Sequence, residues 1–297
     1  MNIEKYAAID IGSNAIRILI ANVLDDNHEN IFFSKNALVR MPIRLGQDTF
    51  ISGTISKKNI KKMVSAFMAF KLIMKIHKVV HFKVYATSAL REARNRLDVI
   101  NFIRDKTGIL IEIIDGKKEA RLISSTNLFK GIDKRSNLLC IDVGGGSTEF
   151  SIIQNGKRVL QKSFKIGTLR IINDMVSKSL WNELKKWIEK TSKNFDKLSI
   201  LGTGGNINKI HKIAAINDGM PISLEVLELL YKKISSLSYD QRIVEYQMNP
   251  DRADVILPAF KIYLKSMRWS KVSKIFVPKK GLCDGMIEEL HYSIKKL

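Results

Sequence analysis

One short segment occurs twice in this chain, and that repetition restricts the fold more than any other feature. Ala8-Ile-Asp10-Ile-Gly12-Ser13 returns in mid-chain as Cys140-Ile-Asp142-Val-Gly144-Gly145-Gly146-Ser147. In both copies an apolar run ends on an aspartate, a glycine-containing turn follows, and a second apolar run departs (Ile16 to Val23, Glu149 to Ile153). Runs of this length, bounded by glycine and serine, read as two strands joined by a tight connection. Two such units imply two related domains. The boundary is expected near residues 125–136, giving domains 1–125 and 126–297, with a C-terminal helix at 286–297 able to pack back on the first.

The segments between and after the repeats fill in the class. Ser56 to His77 carries apolar residues at helical spacing, with Met63, Met68 and Met74 expected to pack in the core. Lys83 to Ala86 reads as a strand, Leu97 to Thr107 as a helix stopped by Gly108, Ile109 to Ile114 as a strand, and Glu119 to Phe129 as a helix. In the second half, helices are expected over Leu180–Phe195, Ser223–Ser235, Pro258–Met267 and Gly285–Leu297. A strand at Ser199–Leu201 runs into Gly202-Thr203-Gly204-Gly205. Strands alternating with helices in both halves give an α/β protein with two sheets.

The 297 residues carry 50 Lys+Arg against 29 Asp+Glu, a formal net charge of +21. Such a surface draws in polyanions. The lysines come as scattered pairs, such as Lys57-Lys58 and Lys185-Lys186, without the interleaved aromatics of a single-strand-binding groove, so nucleic acid is set aside as a partner. No apolar run approaches the roughly 18 residues of a membrane span. The first 20 residues are broken by Glu4, Lys5, Asp10 and Arg17, unlike a secretory leader. The expectation is a cytoplasmic protein with no membrane partner. Cys140 and Cys283 are far apart and outside any C-x-x-C pair, so they read as reduced thiols. The five histidines form no metalloprotease pattern.

Four strand ends carry glycine, hydroxyl or acid residues: Asp10 to Asn14, Asp142 to Ser147, Gly202 to Asn206 and Gly281 to Gly285. Glycines let successive backbone N–H groups approach a phosphate, and serine or threonine adds hydroxyl donors. Any one of these loops can be an ordinary turn. Four together, two of them repeated, point to a held phosphate chain. Asp10 and Asp142 end apolar strands, where an unpaired charge is costly. Each therefore calls for a cation, and Mg²⁺, oxygen-ligated and shared with substrate phosphates, is the candidate. Asp142 with Glu149 is the first choice as metal ligands, and Asp10 a further one. For both aspartates the alternative is a side chain capping its own loop.

Beyond these loops, the segments Ala8 to Arg17, Ala86 to Asn95, Ile114 to Leu122, Ile141 to Glu149, Gly202 to Gly205 and Asp251 to Pro258 resemble the exopolyphosphatase/guanosine pentaphosphate phosphatase (Ppx/GppA) family. The resemblance implies two actin-like, ribonuclease H-like domains with an active-site cleft between them. It implies Mg²⁺-dependent hydrolysis of a terminal phosphoanhydride, in polyphosphate or guanosine pentaphosphate, and a homodimer. It makes Glu119 the catalytic base and places Asp142, Gly144, Gly145, Gly146, Ser147 and Glu149 at phosphate and metal. Gly12, Ser13, Asn14, Arg91, Thr203 and Gly204 would line the polyanion path. On spacing alone, Glu119 reads as a residue stabilising a helix start; Arg91 is a natural phosphate clamp, with an ordinary surface salt bridge to Glu92 or Asp98 as the alternative. Lys117-Lys118 before the glutamate is more basic than the family pattern. The expectation is a short two-domain form, without the helical C-terminal extension of longer members. Two other functions share the loop physics: a phosphotransferase of the same fold, and a non-catalytic basic module binding nucleotide or nucleic acid.

Overall fold

The computed structural model describes residues 2–25, 31–125, 137–195 and 197–295. Chain contacts divide it into unit 1, Met1–Leu122 with Leu282–Leu297, and unit 2, Ile123–Gly281. Residues 126–136, where the sequence places the boundary, lie outside the described residues.

Unit 1 opens with a three-stranded meander, β1 (Asn2–Ile11), β2 (Ile16–Asp25) and β3 (Ile31–Met41). Helices α1 (Leu45–Ser52) and α2 (Lys57–His77) lead to β4 (His81–Ala86), which returns parallel to β1. Helices α3 (Ser88–Glu92) and α4 (Arg96–Thr107), strand β5 (Glu112–Ile113) and helix α5 (Gly116–Ser125) follow. The sheet order is β3-β2-β1-β4-β5. Parallel return through a helix requires a covered sheet. Tyr6, Ile9, Phe67, Phe70 and Tyr85 accordingly sit in the core with 2% exposure or less.

Helix α2 starts where Ser56 accepts a hydrogen bond from the Asn59 N–H, an N-cap that satisfies an otherwise orphaned donor. It ends at Lys78 in the left-handed region, φ 56°. Met63 and Met74 pack inward as expected, but Met68 does not: it is 47% exposed. The buried face of the helix is the single stripe Met63, Ala66, Phe67, Phe70 and Met74, and Met68 lies beside it. The expected strand over Ile109–Ile114 pairs with β4 only at Glu112–Ile113. Ile109 and Ile114 are buried as packing residues outside the ladder.

Unit 2 repeats the plan. Strands β6 (Asn137–Val143), β7 (Thr148–Gln154) and β8 (Lys157–Phe164) form the meander, with the turn at Asn155-Gly156. Helices α6 (Thr168–Ile172) and α7 (Lys178–Lys193) lead to β9 (Leu198–Thr203), parallel to β6. Then come α8 (Gly205–Ile213), β10 (Ile222–Ser223), α9 (Leu224–Ser235), α10 (Tyr239–Tyr246), α11 (Pro250–Ala253), α12 (Ile256–Ser270) and β11 (Lys274–Phe276). The sheet order is β10-β11-β9-β6-β7-β8. Without the short antiparallel β10 this matches unit 1 strand for strand, as the repeat requires, and it is the actin-like, ribonuclease H-like arrangement that the family resemblance implies. Helix α12 is the centre of packing, burying Phe260, Ile262, Tyr263 and Met267 completely. Side chains of that size contribute about 1.5–3 kcal/mol each on burial. It begins two residues before the expected Pro258, because proline is tolerated in a first helical turn.

The last helix, α13 (Leu282–Ile294), returns to unit 1 and packs on β1, β2 and β4. It crosses α5 so closely that a Cβ at Gly285 would lie 1.9 Å from the Leu122 carbonyl oxygen. Only glycine fits there. Glu289 on α13 accepts hydrogen bonds from the Tyr85 hydroxyl and from Lys83 and Arg121. Among the described residues no helix is long and apolar enough to cross a membrane.

Candidate active site

In unit 2, β6 delivers Asp142 to the sheet's end and β7 carries Glu149 away, the two facing each other in the ladder. The intervening turn closes with the Gly144 N–H donating to the Ser147 carbonyl at 2.9 Å. A second segment clasps it: Thr168 and Leu169 donate their N–H groups to the carbonyls of Gly144 (3.0 Å) and Gly145 (2.9 Å). Gly167 lies directly on this turn, with no room for a Cβ beside Gly145 and Gly146. Buried Arg170 donates through Nε to the Gly146 carbonyl at 2.8 Å. Every turn carbonyl so occupied holds its peptide plane, which fixes where the neighbouring N–H groups point.

The carboxylates are held as firmly. Glu149 is 3% exposed, and its Oε1 accepts hydrogen bonds from Ser147 Oγ (2.6 Å) and Ser163 Oγ (3.0 Å). Asp142 Oδ1 accepts from Thr203 Oγ1 at 2.8 Å. The Thr203 carbonyl in turn accepts from the buried Tyr263 hydroxyl, whose ionisation is pushed well up by burial and by the Asp142 charge. Gly204 stands at the head of α8, and Arg252 Nη1 donates to Asn206 Oδ1 at 3.0 Å in its first turn. Unit 2 thus gathers Asp142, Gly144, Gly145, Gly146, Ser147, Glu149, Thr203 and Gly204 at one end of its sheet, the C-terminal edge of the parallel strands, where α/β sheets bind ligands. Sequence reading missed Gly167 and Arg170, and it included Asn206 and Arg252 in motifs without giving either a role. Gly167-Thr168 carried a signal: it repeats the strand, glycine, hydroxyl order after β8.

Unit 1 holds the remaining candidates. Asp10 is buried and faces Arg17 across the β1–β2 pair, with Arg17 Nη1 at 3.4 Å from Oδ2. Burial raises the Asp10 pKa and Arg17 opposes the rise. In the following turn, the Gly12 N–H donates to Ala15 O, Ser13 and Ser88 share a hydrogen bond at 2.9 Å, and Arg44 donates to Asn14 Oδ1 at 2.9 Å. Arg91 donates to the Ile114 carbonyl at 2.6 Å, and among the described residues it is not ion-paired with Glu92 or Asp98. That carbonyl contact aligns the guanidinium with the segment leading to α5. Glu119 lies in the first turn of α5, its N–H bonded to the Asp115 carbonyl at 3.0 Å. The Asp115 carboxylate accepts from the Lys118 N–H at 2.7 Å. Asp115 therefore caps the helix, so Glu119 is not needed for that task, and it is 8% exposed.

The two thiols are inert by environment: both are buried and free of disulfides. Burial pushes Cys140 up to about 12, and Cys283 is raised further by burial and the Asp10 charge.

Comparison with known proteins accords with this geometry. A bifunctional 3-dehydroquinate synthase/phosphatase of Fusobacterium nucleatum is 30% identical over 292 aligned residues, covering 86% of this chain and 43% of that protein. Exopolyphosphatase 1 of Mycobacterium tuberculosis is 28% identical over 171 residues, covering 57% of this chain and 48% of its own length. The chain thus spans less than half the length of these relatives. The crystal structure of an exopolyphosphatase from Cytophaga hutchinsonii has the same fold, with a TM-score of 0.84, 21% identity and 98% of both chains covered. The sequence model of the Ppx/GppA phosphatase family matches residues 27–293. With the fold, the turn and a match over nearly the whole length in agreement, this chain belongs to the Ppx/GppA phosphatase family.

Proposed function

We propose that the chain hydrolyses a terminal phosphoanhydride, releasing orthophosphate from inorganic polyphosphate or converting guanosine pentaphosphate to the tetraphosphate. The observation that carries this reading is the clasped Gly144–Ser147 turn between Asp142 and Glu149, in a chain of a phosphatase family. The +21 charge adds a general attraction for either polyanion.

In this reading the backbone N–H groups of the unit 2 turn take the terminal phosphate. Thr203 and the Gly204 segment take the preceding phosphates, with Ser13, Asn14 and Arg91 along the rest of the chain. The donors of unit 2 are hard oxygens, two carboxylates beside hydroxyl groups, and they fit Mg²⁺. Asp142 and Glu149 would hold it, with Asp10 neutralised instead by Arg17. When bound, the ion supplies charge neutralisation at the phosphate oxygens. Glu119 accepts a proton from the attacking water as the water oxygen bonds to phosphorus. The terminal P–O bridge bond breaks, and the leaving phosphate takes its electron pair. Transfer of this kind rests mostly on positioning and charge stabilisation, which is what a turn with fixed peptide planes provides.

The test is phosphate release in Mg²⁺ from long polyphosphate, short polyphosphate and guanosine pentaphosphate in parallel, with Glu119→Gln as control. Release that the substitution abolishes supports the reading and ranks the substrates. Absence of release from all three overturns it.

A further inference from the structure

Unit 2 holds a cavity of about 600 Å³ that contains none of the residues discussed above. One side is the end of α6 and the loop after it, with Ile171, Asp174 and Val176. The first turns of α7 add Lys178, Trp181 and Asn182, and α12 adds Lys261 and Lys265. The volume falls within the range of about 300–1,000 Å³ typical of small-molecule sites.

Three features of its lining are unusual together. First, the chain has three tryptophans. One, Trp187, is packed against Phe150 and Phe164, whereas Trp181 lines the cavity and Trp269 stands behind it at 6.2 Å between ring centroids. Second, the Lys265 ammonium lies 5.3 Å from both of those indole centroids. Two cation–π contacts hold it in place, so little side-chain freedom remains to be lost when a ligand arrives. Third, among the described residues none of Lys178, Lys261 and Lys265 is ion-paired. Three ammonium groups and one carboxylate, Asp174, line the hollow, and a multiply charged anion offsets the excess positive charge.

We propose that this cavity binds a nucleotide. The amines of Lys178, Lys261 and Lys265 take its phosphates, while Ile171, Val176 and Trp181 form the wall for a flat base. A wholly ionic ligand such as inorganic polyphosphate leaves that apolar wall uncovered, and an uncharged aromatic leaves the three amines unneutralised. At the rim, Asp174 accepts hydrogen bonds from ring-edge N–H groups and the Asn182 amide both donates and accepts. The proposal is independent of the hydrolase reading, because none of these residues belongs to the phosphate-binding turn.

The experiment uses the whole chain and three probes: ATP, tripolyphosphate and adenosine, titrated by calorimetry and by tryptophan fluorescence. The Trp181-dependent fluorescence change, which a phosphate chain held at the Gly144–Ser147 turn does not produce, is expected to saturate at an at least tenfold lower concentration of ATP than of either fragment. The Lys261→Ala/Lys265→Ala variant should weaken ATP at least tenfold and leave phosphate release from polyphosphate unchanged. Lys178→Glu, at the exposed start of α7, repeats the test without disturbing the packed α12. Trp181→Phe should remove the fluorescence change while Trp187 emission persists. A Trp181-dependent fluorescence change that tripolyphosphate produces at the same concentration as ATP, no saturable ATP binding at millimolar concentration, or equal ATP affinity in the lysine variants each overturns the proposal.

Discussion

Gly167 and Gly145 touch backbone to backbone: a Cβ added at Gly167 would lie 2.3 Å from the Gly145 carbonyl oxygen. The contact fastens the segment after β8 onto the turn between β6 and β7, and it leaves no flexible side chain to yield. Gly167→Ala must therefore displace one of the two backbones. Overpacking of this kind costs about 1–3 kcal/mol. A lower urea midpoint with unchanged m-value is expected, along with a loss of phosphate release larger than the stability change explains, since the displaced peptides are those that would hold the phosphate in the proposed function.

Glu119 sits in a helix already capped by Asp115, so its carboxylate is not needed to start α5. Glu119→Gln should leave the thermal midpoint within a few degrees of wild type. A general base contributes about 10²–10⁴-fold, and kcat should fall by that order with KM little changed. Near-normal turnover in steady-state phosphate release would remove Glu119 from the mechanism.

For Glu149, charge and hydrogen bonding can be separated. Glu149→Gln keeps an acceptor for Ser147 and Ser163, whereas Glu149→Ala leaves the buried Ser147 hydroxyl and the more exposed Ser163 hydroxyl without it. The alanine variant should lose about 1–3 kcal/mol of unfolding free energy and the glutamine variant less, measured by denaturant titration. Chelation of divalent ions should stop phosphate release in wild type, and Mg²⁺ should restore it. In Glu149→Gln the Mg²⁺ concentration for half-maximal rate should rise at least tenfold.

The Glu289 contacts predict a pH dependence. Burial works against its ionised form, but the Tyr85 hydrogen bond and the charges of Lys83 and Lys118 outweigh burial, and the pKa is lowered from 4.5. A carboxyl whose pKa is depressed by folding contributes stability above its unfolded value and loses it as pH falls through the folded one. Unfolding free energies of wild type and Glu289→Gln should therefore differ near neutrality and converge below pH 4.5. A difference that stays constant down to pH 3 contradicts the assignment.

Much of this architecture was legible because two kinds of signal are local. The aspartate-ended strands β1 and β6 announce themselves by an apolar run meeting a glycine turn, and α2 by apolar residues at helical spacing, while α7 begins two residues before the expected Leu180 because Ser177 caps it. The third strands were not legible. β8, Lys-Arg-Val-Leu-Gln-Lys-Ser-Phe, lies at a sheet edge and is mostly solvent-facing, so its hydropathy does not alternate cleanly. In the site, Asp142, Ser147 and Glu149 were found because they share one loop. Arg170 was missed because its carbonyl partner, Gly146, is distant in sequence. Asp10 was expected to face a metal, and its Arg17 partner emerged only from the cross-strand register.

Helix α13 has a consequence for how the molecule is made. The sheet of unit 1 leaves the ribosome first, yet the helix that covers it follows about 160 residues after Leu122. At roughly 5–20 residues per second, the apolar face of β1, β2 and β4 waits on the order of 10–30 s for its cover while unit 2, continuous in sequence, is synthesised and able to fold. During translation, of the two units the one begun first is thus completed last, and it is the one exposed to chaperones and to aggregation.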